Sequence, residues 1–522
     1  MPQRLKYLIL TATLLRMIVA AVVEFGNDEA YYFLYALDLQ PNYFDHPPGV
    51  GLLIRLTTLN LLLTHEFFVR LGAILCAGVG TWLAYRLGTQ LKNEQTGWFA
   101  AVLYNASLYT SLIAGTFIIP DSPQVVLWLA SLVVMHRIVM IPVEAAVPIR
   151  DWLLFGMVSG FTILCKVHGV FLWFGLGLFL VLYQPTRLKA TGLYAAAIVT
   201  AIIISPILIW NIQNEFITFR FHGSRVDING AWIHVDYFVQ TVLGQLLYSN
   251  PVNSALLIFS LWRLRTINFL QQDSARFILI NGAPIVIVVT LMSIFNPMLP
   301  HWSGPGFMVL SFLAAAFLDE KAANGARHRI DRILKGTLIA MGSLLIVSLL
   351  VIQVYPGTFG SKNKKEFGDN DFTLDLYGWK KFSNEFQTWL HQQEKEGKIA
   401  SGLPIVSNKW FPGAHVDYYV ARPLQKPLIG VGRITDLHQY YWLNKERPAL
   451  QRGDHALCIV PSNYHMVLEE SYYQNFNSIE LLNVFYSFRG GQMARYFTVY
   501  LLKDYKGNDE VHQELVKSKK PK

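Results

Sequence analysis

Carboxylate, imidazole and aromatic side chains are concentrated just after the first apolar run of this chain. Residues 27–32 read Asn-Asp-Glu-Ala-Tyr-Tyr, and residues 42–49 read Asn-Tyr-Phe-Asp-His-Pro-Pro-Gly. Charge at the edge of a membrane is costly unless it is used, and a carboxylate there could take the proton of a hydroxyl group. The simpler interpretation is that Asp28 and Glu29 only favour the start of a helix capped by Asn27.

Further ionisable residues lie at the ends of later apolar runs or in the connections between them. They are Asp121, Lys166, His168, His222, Arg225 and His301. Simpler roles exist for all of them: a helix cap, a lysine that reaches the membrane surface, solvated loop charges and an interfacial belt residue. We expect the whole set on one side of the membrane. Together its members could activate a hydroxyl with a carboxylate and hold a phosphate with cations.

The composition is that of a multi-spanning helical membrane protein. Hydrophobic residues make up 53% of the chain and charged residues only 15%, and several apolar runs can cross about 30 Å of hydrocarbon. We expect the first run to stay as a helix, because no small-residue cleavage site precedes the acidic segment. The net charge of +9 does not indicate nucleic-acid binding, since in membrane proteins the placement of Lys and Arg is informative.

Apolar runs predict about eleven transmembrane helices. The runs cover residues 7–23, 67–88, 97–119, 122–140, 152–167, 168–184, 190–211, 251–266, 276–295, 303–318 and 335–354. The expected fold class is therefore an all-α polytopic membrane protein with a soluble α/β domain at the C-terminus.

The distribution of basic residues predicts a cytoplasmic N-terminus. In that orientation most of them fall in cytoplasmic loops, namely Arg86, Lys92, Arg137, Arg150, Arg187, Lys189, Arg263, Arg265, Arg276 and a cluster at residues 321–335. The outer connections hold few. An odd number of crossings then places the C-terminal domain outside, and we expect the bacterial cytoplasmic membrane with this domain in the periplasm.

Two domains follow from the change of composition near residue 355. Residues 1–354 form the transmembrane catalytic domain, and its first external loop, residues 24–66, carries two helices that lie along the membrane surface. Residues 355–522 form the soluble domain, in which short extended runs alternate with helical ones. Cys76, Cys165 and Cys458 provide no disulfide framework.

The acidic pair with Tyr31, the run Tyr-Phe-Asp-His-Pro-Pro at residues 43–48 and Pro-Asp-Ser-Pro at residues 120–123 together resemble the GT-C glycosyltransferases. The nearest group is that of the protein O-mannosyltransferases and the lipid A aminoarabinose or galacturonic acid transferases, glycosyltransferase families 39 and 83. The resemblance covers roughly residues 1–320. Its most specific part is the motif of the first external loop.

The resemblance implies an inverting transfer of a sugar from a polyprenyl phosphate to a hydroxyl of a lipid, a glycan or a protein. It implies that a carboxylate of the first loop is the general base, and Asp28 matches that position, with Glu29 as the second catalytic candidate. The candidate substrate and donor-phosphate residues are Tyr31, Asp45, His46, Asp121, Lys166, His168, His222, Arg225 and His301.

The sequence leaves the need for a metal open. A divalent ion such as Mg²⁺ or Mn²⁺ could be shared by Asp28, Asp45 and His46 with the departing phosphate, and no other cofactor is expected. A membrane-bound donor fits independently, because the chain has no GxGxxG or P-loop motif that opens a strand-helix unit.

Two other functions stay open at this point. A block glycan transferase or polymerase would have the same fold and would differ in the size of its donor. A lipid or glycan transporter would carry ionisable groups near the middle of its spans and repeated halves. Here the charges lie at the outer ends, and the halves are not alike.

Overall fold

The computed structural model describes residues 1–227, 232–466, 468, 472 and 475–507. The chain divides into two compact units. The N-terminal unit comprises Met1–Ala21 and Leu39–Leu345, and the C-terminal unit comprises Val22–Asp38 and Ile346–Lys522. The predicted boundaries at residues 354 and 355 stay a prediction, as does the predicted surface location of the two loop helices.

The N-terminal unit is helical in its described residues. Its helices are α1 (Gln3–Val22), α3 (Gly49–Thr57), α4 (Glu66–Leu91), α5 (Glu94–Ala106), α6 (Asp121–Met140), α7 (Ile149–Cys165), α8 (Val170–Tyr183), α9 (Thr191–Gln213), α10 (Ile217–Arg225), α11 (Val235–Tyr248), α12 (Pro251–Arg263), α13 (Gln272–Met292), α14 (Gly304–Lys321) and α15 (Arg327–Val354), with the unit boundary inside α15. Large buried side chains such as Trp128, Phe155 and Phe277 fill the core between these helices.

Each predicted apolar run overlaps a helix of the structure. Within the described residues, six helical segments are long and apolar enough to cross a membrane: Gln3–Val22, Glu66–Leu91, Asp121–Met140, Thr191–Gln213, Gln272–Met292 and Pro300–Val354. The chain is thus a helical protein with membrane-spanning character. The number of eleven crossings is not confirmed, because several of the helices are shorter, and α10 and α11 were not predicted.

The C-terminal unit is a small α/β domain. Its elements are α2 (Asn27–Leu37), α16 (Trp379–Lys395), β1 (Ile405–Ser407), α17 (Trp410–Val416), β2 (Leu428–Gly430), α18 (Ile434–Leu437), α19 (Tyr440–Leu443), β3 (Ala456–Pro461), β4 (Phe476–Arg489) and β5 (Gln492–Tyr505). The described strands have the order β2-β1-β3-β5-β4.

The sheet is mixed. Strand β1 is parallel to both neighbours, with Val406 opposite Ile429 and Cys458, whereas β5 is antiparallel to β3 and β4. Strands β1 and β3 are buried at every position, and β3 is a continuous run of mostly apolar residues because both of its faces are covered. The expected small α/β module is therefore present, although β2 and β4 were not predicted.

Candidate functional site

The N-terminal unit contains a buried ion pair. Lys166 directly follows α7, and its Nζ lies 2.7 Å from Oδ2 of Asp121, the first residue of α6. Both side chains are 3% exposed. Asp121 is not the helix cap, since Pro120 occupies that position. Lys166 does not reach toward solvent. The ion pair links the end of α7 to the start of α6.

A tyrosine that was not predicted from the sequence also contacts Asp121. The Tyr109 hydroxyl donates to Oδ1 of Asp121 at 2.8 Å. Tyr109 begins a π-helical turn, Tyr109–Ile113, and Arg16 of α1 donates to the Ser111 carbonyl of that turn at 3.1 Å. Arg16 is 1% exposed, so a second buried cation holds the turn that presents Tyr109.

The loop before α3 carries His46 and is fixed by backbone and side-chain hydrogen bonds. The Tyr43 N–H donates to the His46 carbonyl at 3.1 Å, which closes a turn. Asn42 Nδ2 donates to the Tyr43 carbonyl and to Thr218 Oγ1 of α10, each at 2.9 Å. The loop is therefore tied to α10 by buried amide and hydroxyl groups.

Gly49 sets the distance between this loop and the end of α7. A Cβ atom built on Gly49 would lie 2.7 Å from both the Cα and the Sγ of Cys165, closer than real Cβ atoms come. Cys165 is the residue before Lys166. Only glycine lets α3 begin here, and this close approach brings the His46 segment beside Lys166.

Helix α10 supplies two more of the predicted residues. Nε2 of His222 donates to the Asp45 backbone carbonyl, and the His222 ring centroid lies 5.7 Å from that of His46. The guanidinium of Arg225 lies 4.3 Å from the centroid of the Phe221 ring, and Arg225 is exposed. Asp45 thus contacts the site through its backbone carbonyl.

Burial sets the protonation of the two histidines. It lowers the pKa of His46 well below the ordinary value, and electrostatic interactions with His222 and Lys166 lower it further. Burial also lowers the pKa of His222, although its bond to the Asp45 carbonyl acts in the opposite direction. Both imidazoles are therefore neutral at pH 7, and the single N–H of His222 is the one that donates to the Asp45 carbonyl.

His46, Lys166, His168, His222 and Arg225 line one cavity of about 400 Å³. Among the described residues of its wall, none is acidic. The apolar wall is formed by Val167, Val170, Phe171, Ile207, Phe219, Val226, Val288, Val289, Met292, Met298 and Trp302. A cavity with basic groups beside a long apolar wall suits an amphiphilic anion, because each part of such a ligand meets matching chemistry.

The two remaining histidines lie beside this cavity in different ways. His168 lines it, faces Trp302 with ring centroids 6.0 Å apart, and its Nδ1 has no hydrogen-bond partner in the structure. His301 stacks against Tyr248 at 6.3 Å. It is close enough to Asp121 and Lys166 to interact electrostatically with both, and so it belongs to the ion pair's surroundings.

Asp28, Glu29 and Tyr31 are in the C-terminal unit. Asp28 is an exposed residue of the first turn of α2. Gly26 is the N-cap in place of the predicted Asn27, and the Glu29 carboxylate accepts from the Gly26 N–H at 3.0 Å. Glu29 therefore has a visible helix-capping role.

Tyr31 has a structural role in the same unit. It is 1% exposed, and its ring lies 4.9 Å from Trp410 and 5.9 Å from His438.

Within the described part of the chain, no group of three or more His, Cys, Asp or Glu side chains is arranged to hold a metal ion. Asp45 and His46 are in the N-terminal unit and Asp28 is in the C-terminal unit. The involvement of a divalent ion stays a prediction.

Sequence comparison finds two matches to known transferases. Residues 45–210 match the family described as dolichyl-phosphate-mannose-protein mannosyltransferase. A lipid A galacturonosyltransferase, RgtD, from Rhizobium johnstonii is 21% identical over 305 residues, which are 58% of this chain and 63% of that protein. The alignment thus spans less than two thirds of the length of this relative.

Solved structures show the fold. ArnT from Cupriavidus metallidurans in the apo state superposes with a TM-score of 0.61 at 13% identity, over 95% of this chain and 97% of that one. The same protein bound to undecaprenyl phosphate superposes with a TM-score of 0.58 at 15% identity, with the same coverage. The chain has the GT-C fold, and the predicted resemblance to GT-C glycosyltransferases is confirmed. The relatives are themselves glycosyltransferases, which agrees with the prediction that this chain is an enzyme of that class.

Proposed function

We propose that this chain is an inverting glycosyltransferase that moves a sugar from a polyprenyl-phosphate donor to an acceptor hydroxyl. The observation that carries the proposal is the cavity of the N-terminal unit, in which five basic side chains adjoin a long apolar wall. A structural neighbour binds undecaprenyl phosphate, and the matching family is described by its dolichyl-phosphate-mannose donor. Both are lipid phosphates of the kind that this cavity suits.

The basic side chains would hold the donor phosphate. Lys166 and Arg225 supply positive charge, and His46 and His168 can supply N–H donors, whereas the N–H of His222 is bonded to the Asp45 carbonyl. Charge-assisted hydrogen bonds to phosphate are stronger than neutral ones. Because Asp121 neutralises part of the Lys166 charge, Arg225 is the cation that is most available to the ligand.

The apolar wall would hold the isoprenoid chain. Val288, Val289 and Met292 of α13 line the cavity together with Phe171 of α8. α13 is one of the segments that can cross a membrane. An isoprenoid lying against it would keep its apolar surface out of water.

Asp28 is the proposed general base. In the transfer, the acceptor oxygen forms a bond to the anomeric carbon while the bond from that carbon to the phosphate oxygen breaks. The acceptor proton passes to Asp28, and the electron pair of the broken bond stays on the polyprenyl phosphate. The cationic side chains stabilise this leaving group, so that no strong general acid is needed.

The proposed acceptor and location are supported by the relatives and by the distribution of charge. The named relatives are lipid A and protein transferases, and we propose a lipid, glycan or protein hydroxyl as the acceptor here. The enrichment of basic residues in alternate loops supports catalysis on the outer side of the bacterial cytoplasmic membrane, with the C-terminal domain in the periplasm.

The test is mass spectrometry of envelope lipids, glycans and proteins from a strain that lacks this gene. We expect the loss of one sugar modification, which the wild-type gene restores and Asp28→Asn does not, because a general base contributes about 10²- to 10⁴-fold. Asp436→Asn is the matched control, since Asp436 pairs with Arg433 at the surface of the same unit. An unchanged envelope, or full restoration by Asp28→Asn present in equal amount, would contradict the proposal.

A further inference from the structure

The start of α2 is held by a carboxylate that lies far away in the sequence. Asn27 is the first residue of α2, and its Nδ2 donates to Oδ2 of Asp375 at 3.0 Å. The Tyr464 hydroxyl donates to Oδ1 of the same carboxylate at 2.7 Å. Asp375 is 8% exposed, so both of its oxygens are engaged in a buried setting.

The residues before Asn27 are held by the same domain. The Glu24 carboxylate accepts from the N–H groups of Trp379 and Lys380 at 2.7 and 3.1 Å, at the start of α16. Such a site favours an anion because the first N–H groups of a helix have no partner within the helix. The chain that leads into α2 is therefore fixed by its side chains.

Backbone groups of this segment are also engaged. The Phe25 N–H donates to the Tyr419 hydroxyl at 2.7 Å, and the Phe25 carbonyl accepts from Nε2 of His415 at 2.9 Å. His415 is fully buried and stacks on Trp379 with ring centroids 4.6 Å apart. These contacts fix the direction in which the chain enters α2.

We infer that Asp375, acting through Asn27, is a positioning residue that sets the orientation of Asp28. Asp28 follows Asn27 in the first turn of α2, so any rotation or fraying of this turn moves the Asp28 carboxylate. The inference rests on the proposed function, in which Asp28 is the base. In this inference the C-terminal unit holds the base in place.

A hydrogen-bonded carboxylate is suited to this task. Reactive groups must be held within fractions of an ångström, and that requires support from neighbours whose own positions are fixed. Asp375 has such neighbours, because Tyr464 holds one of its oxygens and the guanidinium of Arg495 interacts with it electrostatically. Arg495 is itself 0% exposed. An apolar contact would bury the same surface without fixing a direction.

The experiment compares the variants Asp375→Ala, Asp375→Asn, Asn27→Ala, Asn27→Ala/Asp375→Ala and Asp28→Asn in lipid nanodiscs. Turnover is measured with the sugar donor that the deletion strain identifies. It is divided by the number of undecaprenyl-phosphate binding sites in each preparation, because that number counts folded protein. Glu394→Gln is the control, since it removes a different ion pair of the same domain, that with Lys426.

Positioning predicts that Asp375→Ala and Asn27→Ala each lower kcat per binding site by about 10- to 100-fold. KM for the donor should not change. The double variant should be no worse than the more impaired single variant, because both changes break the same contact. Asp375→Asn should retain more activity than Asp375→Ala, since its amide oxygen can still accept from Asn27. Glu394→Gln should match the wild type.

Two results would overturn the inference while the proposed function stands. One is an inactive Asp28→Asn beside an Asp375→Ala with full kcat per binding site. The other is a loss of binding sites in proportion to activity, which would show that Asp375 only stabilises the fold. Full activity of Asp28→Asn would instead remove the proposed base, and with it the premise of the inference.

Discussion

Arg225 is the residue that separates phosphate binding from folding most cleanly. It lines the cavity and is exposed, so its replacement leaves no buried charge unpaired. A single substitution of Lys166 offers no such separation, because its partner Asp121 is buried with it. The contribution of positive charge to donor binding is therefore best measured at Arg225.

We predict that Arg225→Gln weakens the binding of undecaprenyl phosphate by about 10- to 100-fold, since a hydrogen bond to a charged group contributes about 1.5–3 kcal/mol. Arg220→Gln is the matched control, because Arg220 lies on the same helix, is exposed and pairs with Glu215. Equilibrium binding of the radiolabelled lipid to protein in nanodiscs measures the effect. Equal losses in both variants would show that only the overall charge of α10 matters.

The ion pair of Lys166 and Asp121 allows a test of folding against binding. We predict that Lys166→Met alone destabilises the protein by about 3–5 kcal/mol, because it leaves the buried Asp121 carboxylate without its partner. The double variant Lys166→Met/Asp121→Asn should regain most of this stability but should not regain donor binding. Thermal unfolding and lipid binding together check this. Recovery of binding in the double variant would exclude Lys166 from the phosphate site.

Asp375 predicts a pH dependence of stability in the C-terminal unit. Burial raises its pKa to about 6 from an ordinary value of 3.8. Between these values the folded state binds more protons than the unfolded state, so the protein gains stability as the pH falls. Relative to Asp375→Asn, the wild type should become more stable from about pH 7 to about pH 5. Differential scanning calorimetry measures this, and a difference that does not vary with pH would contradict the assignment.

At the scale of elements, the close approach of α3 and α7 determines where the first loop meets the residues that follow α7, among them Lys166. We predict that Gly49→Ala lowers stability by about 1–3 kcal/mol, because the new Cβ would overlap Cys165. Gly177→Ala on α8 is the control, since a Cβ there meets nothing within 4 Å. Thermal unfolding in detergent compares the two. If Gly49→Ala were as stable as Gly177→Ala, the loop would not be fixed at this point.

The elements could be predicted from the sequence to the extent that their patterns are local. Runs of apolar residues located helices such as α4, α9 and α13, and the change to mixed composition located the sheet domain. Helices α10 and α11 were missed because they are short or follow interrupted apolar runs. Strand β4 was missed because Asn477, Ser478 and Glu480 interrupt its apolar residues. The number of membrane crossings cannot be derived from the apolar runs alone. Short helices such as α5 are apolar like the segments that can cross a membrane.

At the scale of the whole molecule, the residue types of the site could be predicted but their contacts could not. His46, Lys166, His168, His222 and Arg225 were recognised from their positions at the ends of apolar runs, and they line one cavity. The residues that contact these side chains are far away from them in the sequence. No local pattern shows such pairs.

The C-terminal unit shows the same limit. Asn27 and Asp375, which form a hydrogen bond, are 348 positions apart. The sequence grouped residues 24–66 with the membrane helices, whereas Val22–Asp38 forms a compact unit with the C-terminal domain. Hydrophobic patterning records which residues are apolar, but it does not record which distant segment covers them.

The central claim is that the basic cavity of the N-terminal unit holds a polyprenyl phosphate. It is tested most directly by a cryo-electron microscopy structure of the protein in nanodiscs with undecaprenyl phosphate. We predict phosphate density within hydrogen-bonding distance of Lys166, His168 or Arg225 and isoprenoid density along Val288 and Met292. A phosphate bound elsewhere, with this cavity free of lipid, would contradict the account.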